Sequence, residues 1–134
     1  MPNQRRHRKV ESPPSMEGFK PFGIKMKHLE KVVLYFEEYE AIRLIDYENM
    51  NQEAAAARMN VSRPTFTRVY KHARKTIAQA LVEGKAILIE GGTYISENYW
   101  VRCNNCCKLT TTPQPVKSCP HCHSTELKGI HAPN

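Results

Sequence analysis

Five cysteines offer the most specific chemistry in this chain, and all of them lie between Cys103 and Cys122. They are arranged as Cys103-Asn-Asn-Cys106-Cys107 and Cys119-Pro-His-Cys122, two C-x-x-C pairs with 12 residues between Cys106 and Cys119. A secreted disulfide scaffold spreads its cysteines along the chain, whereas paired C-x-x-C steps gather four soft thiolates around one tetrahedral zinc ion. Cys103, Cys106, Cys119 and Cys122 are the expected ligands. Cys107 can replace Cys106, and His121 or His123 can replace a thiolate. Five unliganded thiols, or redox use of the vicinal Cys106-Cys107 pair, are the competing readings. Four thiolates leave no open position for a substrate water, so the expected zinc is structural. Such knuckles often carry glycine just after the second cysteine, where this chain has Cys107 and His123.

Short strand candidates flank the cysteines, so residues 99–130 read as a zinc-ribbon-like β module. A segment this short cannot bury enough apolar area to fold alone, and metal must supply the folding free energy. Tyr99 and Trp100 are expected to pack its small core, separate from the core of the rest. Residues 93–98 read as a linker and 131–134 as a tail. Four basic and three acidic groups after residue 85 make the module nearly neutral, which favours protein contact or architectural support.

The remaining charge is uneven. The 134 residues carry 20 Lys plus Arg against 13 Asp plus Glu, a net +7. Residues 1–33 hold 8 basic and 3 acidic groups, residues 34–60 hold 2 and 6, and residues 61–85 hold 6 and 1. Two basic blocks flanking an acidic one suit a polyanion-binding face, against ordinary surface charge sorted by chance. Arg5, Arg6, Arg8 and Lys9 form a basic arm within an irregular, proline-broken stretch, 1–27, either lying along DNA or solvated as a tail.

Residues 28–92 read as helical. Apolar spacing predicts a first helix over 34–46, with Glu37, Glu38 and Glu40 suiting its positive end. Asn51 is a good N-cap for a second helix through the alanine run to Met59, and Asn60 can end it in the left-handed region. Ser62 caps a third helix with Pro64 in its first turn. Its apolar stripe is Phe66, Val69, Ala73, Ile77, Ala80 and Leu81, and it stops at Gly84. Residues 85–90 read as a short strand. The expected fold is therefore mainly α, a three-helix domain with a long third helix plus the β module.

The segment 51–71 has the form of a helix-turn-helix: Ala56 small at the crossing, Asn60 in the turn, Phe66 and Val69 as anchors. Arg63, Thr65, Thr67, Arg68 and Lys71 then face outward near the N-terminal half of the last helix, the half that enters a major groove. Arginine pairs bidentately with guanine, and Ser or Thr can touch base edges or phosphates.

The stretches RRHRKV, EYEAIRLID, VSRPTF and GKAILIEGG give the chain a likeness to a known family. From about Arg5 to Gly92 it resembles an uncharacterised prokaryotic family of predicted DNA-binding proteins whose helix-turn-helix is similar to region 4 of sigma factors. That resemblance implies that Ser62, Arg63, Thr65, Thr67 and Arg68 occupy DNA-reading positions. This chain departs from the pattern in the turn, where Asn60 replaces the customary glycine, and in the alanine-rich run 54–57.

The expected function is sequence-specific binding of double-stranded DNA by a transcriptional regulator, without catalysis: there are no paired carboxylates in a plausible cleft, no phosphate-cradling glycine loop and no nucleophile with an evident base. A homodimer is the expected assembly, because one helix-turn-helix reads a half-site. The competing class is a protein-interaction adaptor that docks on the transcription machinery. With no apolar run near about 20 residues and no secretory leader, the expected compartment is the cytoplasm, with no membrane partner.

Overall fold

The structure is a computed structural model and describes residues 8–133. Its elements in chain order are β1 (Gly18–Phe19), a 3-10 turn (Met26–His28), β2 (Lys31–Leu34), α1 (Phe36–Ile42) continuing as a π turn (Arg43–Tyr47), α2 (Gln52–Arg58), α3 (Arg63–Glu83), β3 (Ala86–Ile89), β4 (Tyr99–Cys103), β5 (Leu109–Thr112) and β6 (Leu127–His131). This corrects the expectation of a mainly α chain. Helical residues make up 34% and strands 21% of the described residues, the strands in two small sheets, so the fold is mixed α/β. The strands that overturn it are β1 and β2, in a stretch read as irregular or helical. They are two and four residues long, too short to show a period of two, and their partner β3 lies more than 50 residues away.

In the first sheet β3 is central, antiparallel to β1 and parallel to β2, with Lys31 opposite Ala86 and Leu34 opposite Ile89. A parallel pair needs a long crossover, and all three α-helices supply it. Local chemistry sets their ends. The Asn51 side chain accepts from the Ala54 N–H at 2.8 Å, and the Ser62 hydroxyl accepts from the Thr65 N–H at 3.3 Å. Asn60 sits at φ 60° between α2 and α3, and α3 ends on Gly84 at φ 68°.

Two apolar clusters hold the helices. One joins Ala41, Leu44, Ala55, Ala56, Met59, Phe66, Val69 and Tyr70. The alanines bring α2 close enough for Phe66 to be fully buried. The other joins Val10, Leu34, Phe36, Ala73, Ile89 and Trp100. Leu81 does not belong to the α3 stripe: it is exposed, and Tyr70 and Thr76 are buried instead.

The acidic block is also internal. Glu37, Glu38 and Glu40 are all buried. Glu37 accepts from Arg8 at 3.2 Å and from the Thr93 N–H at 3.1 Å. Glu38 caps α1 by accepting from the Tyr35 N–H at 3.0 Å, and it also meets His72 of α3. Glu40 accepts a bidentate pair from Arg43 at 2.9 and 3.0 Å, and the Glu11 N–H at 3.0 Å. Burial pushes the Glu37 carboxyl above its usual range, against the Thr93 N–H and Arg8, which pull it down. Gly92 is required beside it, since a Cβ there would lie 2.1 Å from Glu37 Oε1.

The second sheet is antiparallel, in the order β5-β4-β6. Its largest side chain is not its own core. Trp100 of β4 is fully buried in the helical cluster, edge-on to Phe36 at 5.2 Å and stacked on Tyr94 at 5.2 Å. The expectation of separate apolar cores is therefore corrected. The stretch 93–98, expected as a linker, is built into the junction: Ile95 exchanges backbone hydrogen bonds with Arg8 and Val10, and Ser96 is buried. No helix among the described residues is long and apolar enough to cross a membrane.

Candidate metal centre and basic helix face

β4 delivers Cys103 to the end of the second sheet, and the chain turns back at once: the Cys107 N–H donates to the Cys103 carbonyl at 2.9 Å. The second step repeats the geometry, with the His123 N–H donating to the Cys119 carbonyl at 2.8 Å. Cys107 and His123 take φ values of 67° and 66°, the left-handed conformation that glycine usually fills in such turns. Backbone N–H groups then point at the sulfurs. Asn105 and Cys106 donate to Cys103 Sγ at 3.3 and 3.4 Å, and His121 donates to Cys119 Sγ at 3.3 Å.

The sulfurs of Cys103, Cys106, Cys119 and Cys122 all lie within 4.8 Å of one another. Cys103 and Cys122 are 3.6 Å apart, and Cys106 and Cys119 are 3.7 Å apart. A tetrahedron of zinc–sulfur bonds of about 2.3 Å has edges of about 3.8 Å, so the cluster fits a tetrahedral metal such as zinc. Among the described residues, Cys107, His121 and His123 are not part of it, and all three are exposed. The Cys122 thiol comes down to about 6, first through the Asn105 side-chain amide at 3.4 Å and then through the Ser124 N–H. Cys119 is also lowered, chiefly by the Cys122 N–H. Cys106 goes up to about 11: the Lys108 N–H pulls it down, but burial and the neighbouring thiols outweigh that donor.

A buried arginine ties this centre to the rest. Arg102 donates to the carbonyls of Cys107 at 3.1 Å and Ser15 at 3.0 Å, joining the first knuckle to the N-terminal segment. Sequence reasoning missed Arg102. Its only signal is a charge inside the otherwise apolar strand Tyr99–Cys103.

The second group of expected site residues lies on α3. By the ~100° step of an α-helix, Arg63, Arg68, Lys71, Arg74 and Lys75 fall within an arc of about 140°, opposite the buried stripe of Phe66, Val69 and Ala73. All five are exposed, and none makes an ion pair among the described residues. Arg68 donates to Thr65 Oγ1 at 3.1 Å, and the Ser62 hydroxyl donates to the same oxygen at 3.0 Å. Ser62 and Thr65 thus form the cap and steady one guanidinium. Thr67 is half-buried and donates to Gln52 Oε1 at 2.5 Å, so it fastens α3 to α2 instead of facing outward.

The basic arm divides. Arg5 and Arg6 lie outside the described residues. Arg8 and Lys9, expected to lie outside the core, are fixed to it. Arg8 pairs with Glu37 and Lys9 with Glu97, each at 3.2 Å, and the Lys9 N–H donates to the Met59 carbonyl at the end of α2. The next residue, Val10, is fully buried, which explains the anchoring.

Comparison with known proteins places the chain. The family model described as "Protein of unknown function DUF134" matches residues 1–97. This chain belongs to that family. The match stops two residues before β4, so the cysteine module follows the part that defines the family. Among its curated relatives, a "UPF0251 protein" of Moorella thermoacetica is 50% identical over 123 residues, covering 91% of this chain and 83% of that protein. A "UPF0251 protein" of Chloroherpeton thalassium is 38% identical over 132 residues, covering 97% and 87%. One from Desulforudis audaxviator is 44% identical over 124 residues, covering 90% and 80%. No solved structure matches.

Proposed function

We propose that α2, the turn at Asn60 and α3 form a helix-turn-helix, similar to sigma region 4, that binds double-stranded DNA sequence-specifically, and that the protein is a transcriptional regulator. The observation that carries this reading is the row of uncompensated cations on α3. A helix anchored by Phe66 and Val69 presents Arg63, Arg68 and Lys71 from its N-terminal half, the part that enters a major groove in this motif. Arg74 and Lys75 continue the row to where flanking phosphates lie. Arg68, held by Thr65, is the best candidate for a guanine edge. One such unit reads a half-site, so two copies on adjacent half-sites about 34 Å apart complete the recognition.

The four thiolates belong to a structural zinc ribbon in this reading. The near-tetrahedral sulfur spacing supports it, and so does the burial of Cys103 and Cys119. Bound zinc would hold the two knuckles together and supply folding free energy.

Selection of binders from random duplex DNA at a stated salt concentration tests the reading. Enrichment of one motif is expected, lost with Arg68→Ala at one base position. No enrichment, with retained binding to proteins of the transcription machinery, would favour an adaptor instead. Exposed Leu81 and Val82 at the far end of α3 are the surface that such an adaptor would use.

A further inference from the structure

The first sheet has one covered face and one open face. Ile87 and Ile89 of β3 pack with the helical cluster, and the alternation of a strand sends Ala86 and Leu88 to the opposite side. At this edge β1, β3 and the turn before β2 border an open trough of about 670 Å³, with Ala86, Leu88 and Leu29 as apolar walls, Phe19 and Ile87 reaching it from the other face, and Lys20 and Lys31 among its charged groups. That volume falls within the range of about 300–1,000 Å³ that holds small organic ligands.

The charges around the trough decide what fits. Two glutamates also border it, each with a cation on its outer side: Glu17 lies 3.5 Å from Arg102 Nε, and Glu30 lies 3.6 Å from Lys85 Nζ, which Glu83 approaches to 3.0 Å. Among the described residues, neither Lys20 nor Lys31 makes an ion pair. Two lysines without an ion pair therefore border an apolar surface. A neutral ligand leaves them unmet, and a small inorganic anion leaves the apolar walls wet. A molecule with an apolar body and a single anionic group satisfies both.

We propose that this trough is a binding site for a small organic acid with an apolar body, of the class of medium-chain carboxylates and aryl sulfonates. The proposal stands on the trough alone and does not depend on the DNA reading. β3 follows α3 after Gly84 and Lys85, so an occupant would sit against the strand that leaves the basic helix.

The test is a titration of the full chain with 8-anilinonaphthalene-1-sulfonate, followed by fluorescence, with octanoate as competitor. One saturable site per chain is expected, with octanoate displacing the probe and octanol, which lacks the charge, doing so about tenfold less well. The double variant Lys20→Glu/Lys31→Glu should weaken probe binding about tenfold or more, and Leu88→Asp should abolish it. Circular dichroism checks that each variant is folded. The lysines are exposed, so the double variant carries the test even where Leu88→Asp fails to fold. Binding that does not saturate at one site, or that is unchanged in the double variant, overturns the proposal and moves the probe to exposed apolar groups such as Phe22, Leu81 and Val82.

Discussion

The turn between α2 and α3 and the two cysteine knuckles bend the chain in the same way, through a left-handed residue that is not glycine: Asn60 at φ 60°, Cys107 at 67° and His123 at 66°. What surrounds these bends differs completely. Asn60 lies beside a cluster of eight buried apolar residues, with Phe66 and Leu44 fully enclosed. The knuckles surround four sulfurs, and the module's one large buried apolar side chain, Trp100, is contributed to the helical core. An asparagine pays a small strain for its backbone, and packing offsets it readily. The knuckles have no comparable packing, so sulfur ligation and the Trp100 junction must offset theirs. The α2–α3 unit can thus tolerate changes at its surface, whereas the module depends on two remote attachments.

Breaking the sulfur cluster should have the largest effect. Cys119→Ser is expected to abolish stoichiometric zinc, which elemental analysis of the wild type should find at one per chain. Structural zinc sites are worth about 10–16 kcal/mol in isolated fingers. Because Trp100 sits in the shared core, the helices should also melt at lower temperature, measured by far-ultraviolet circular dichroism. Helices melting at the wild-type temperature would restore two independent cores.

Phe66→Ala attacks the other side of the comparison. Deleting a fully buried ring should cost about 3–5 kcal/mol in urea unfolding, with zinc content of the folded protein unchanged. Arg68→Ala is a surface change. It should leave stability within about 0.5 kcal/mol and weaken specific DNA binding by about 1–3 kcal/mol, with relaxed preference at one base pair. Equal loss on every sequence would make Arg68 a phosphate contact.

The arm can now be cut where the structure anchors it. Removing residues 1–7 spares Arg8, Lys9 and Val10 and deletes Arg5 and Arg6. If both arginines lie along DNA, the slope of log affinity against log salt should become shallower by about 2, at about 0.9 per phosphate contact. An unchanged slope assigns them no DNA contact.

The smallest effect concerns pH. Burial raises the Glu37 carboxyl, so its contribution to stability is fully present below the unfolded value near 4.5 and declines as pH rises through the folded value. Glu37→Gln does not titrate. Unfolding at pH 4 and pH 8 should therefore show the variant gaining on the wild type at the higher pH. A gap that moves the other way would mean that Arg8 and Thr93 dominate over burial.

Much of the site was legible locally because its signals are local. Cysteine spacing identified the four sulfurs, and Asn51, Ser62 and Gly84 marked helix ends through their own backbone chemistry. Asn60 stood out as the residue between two helical patterns. What escaped the sequence is what distant residues decide together. The register of Val32 opposite Ile87 leaves no trace in a four-residue strand. Glu37, Glu38 and Glu40 read only as first-turn charges suiting the positive helix end because their partners Arg8, His72 and Glu11 come from other segments. Trp100 was assigned to the nearest cysteines because nothing in its neighbours names Phe36 as the ring it meets.

Trp100 is the chain's only tryptophan, and it is fully buried at the junction of the two sheets' territories. Intrinsic emission excited at the red edge therefore comes from one spot, with no second fluorophore of its kind to blur it. Nearby aromatic rings, Tyr94 and His131, stack or tilt against the indole at about 5 Å. Opening this seam would let water reach the excited state and shift the emission to longer wavelength while the backbone signal of α3 stays intact. The molecule thus carries a built-in optical gauge of whether the metal-bearing sheet is seated, readable without a label and in real time during chelation.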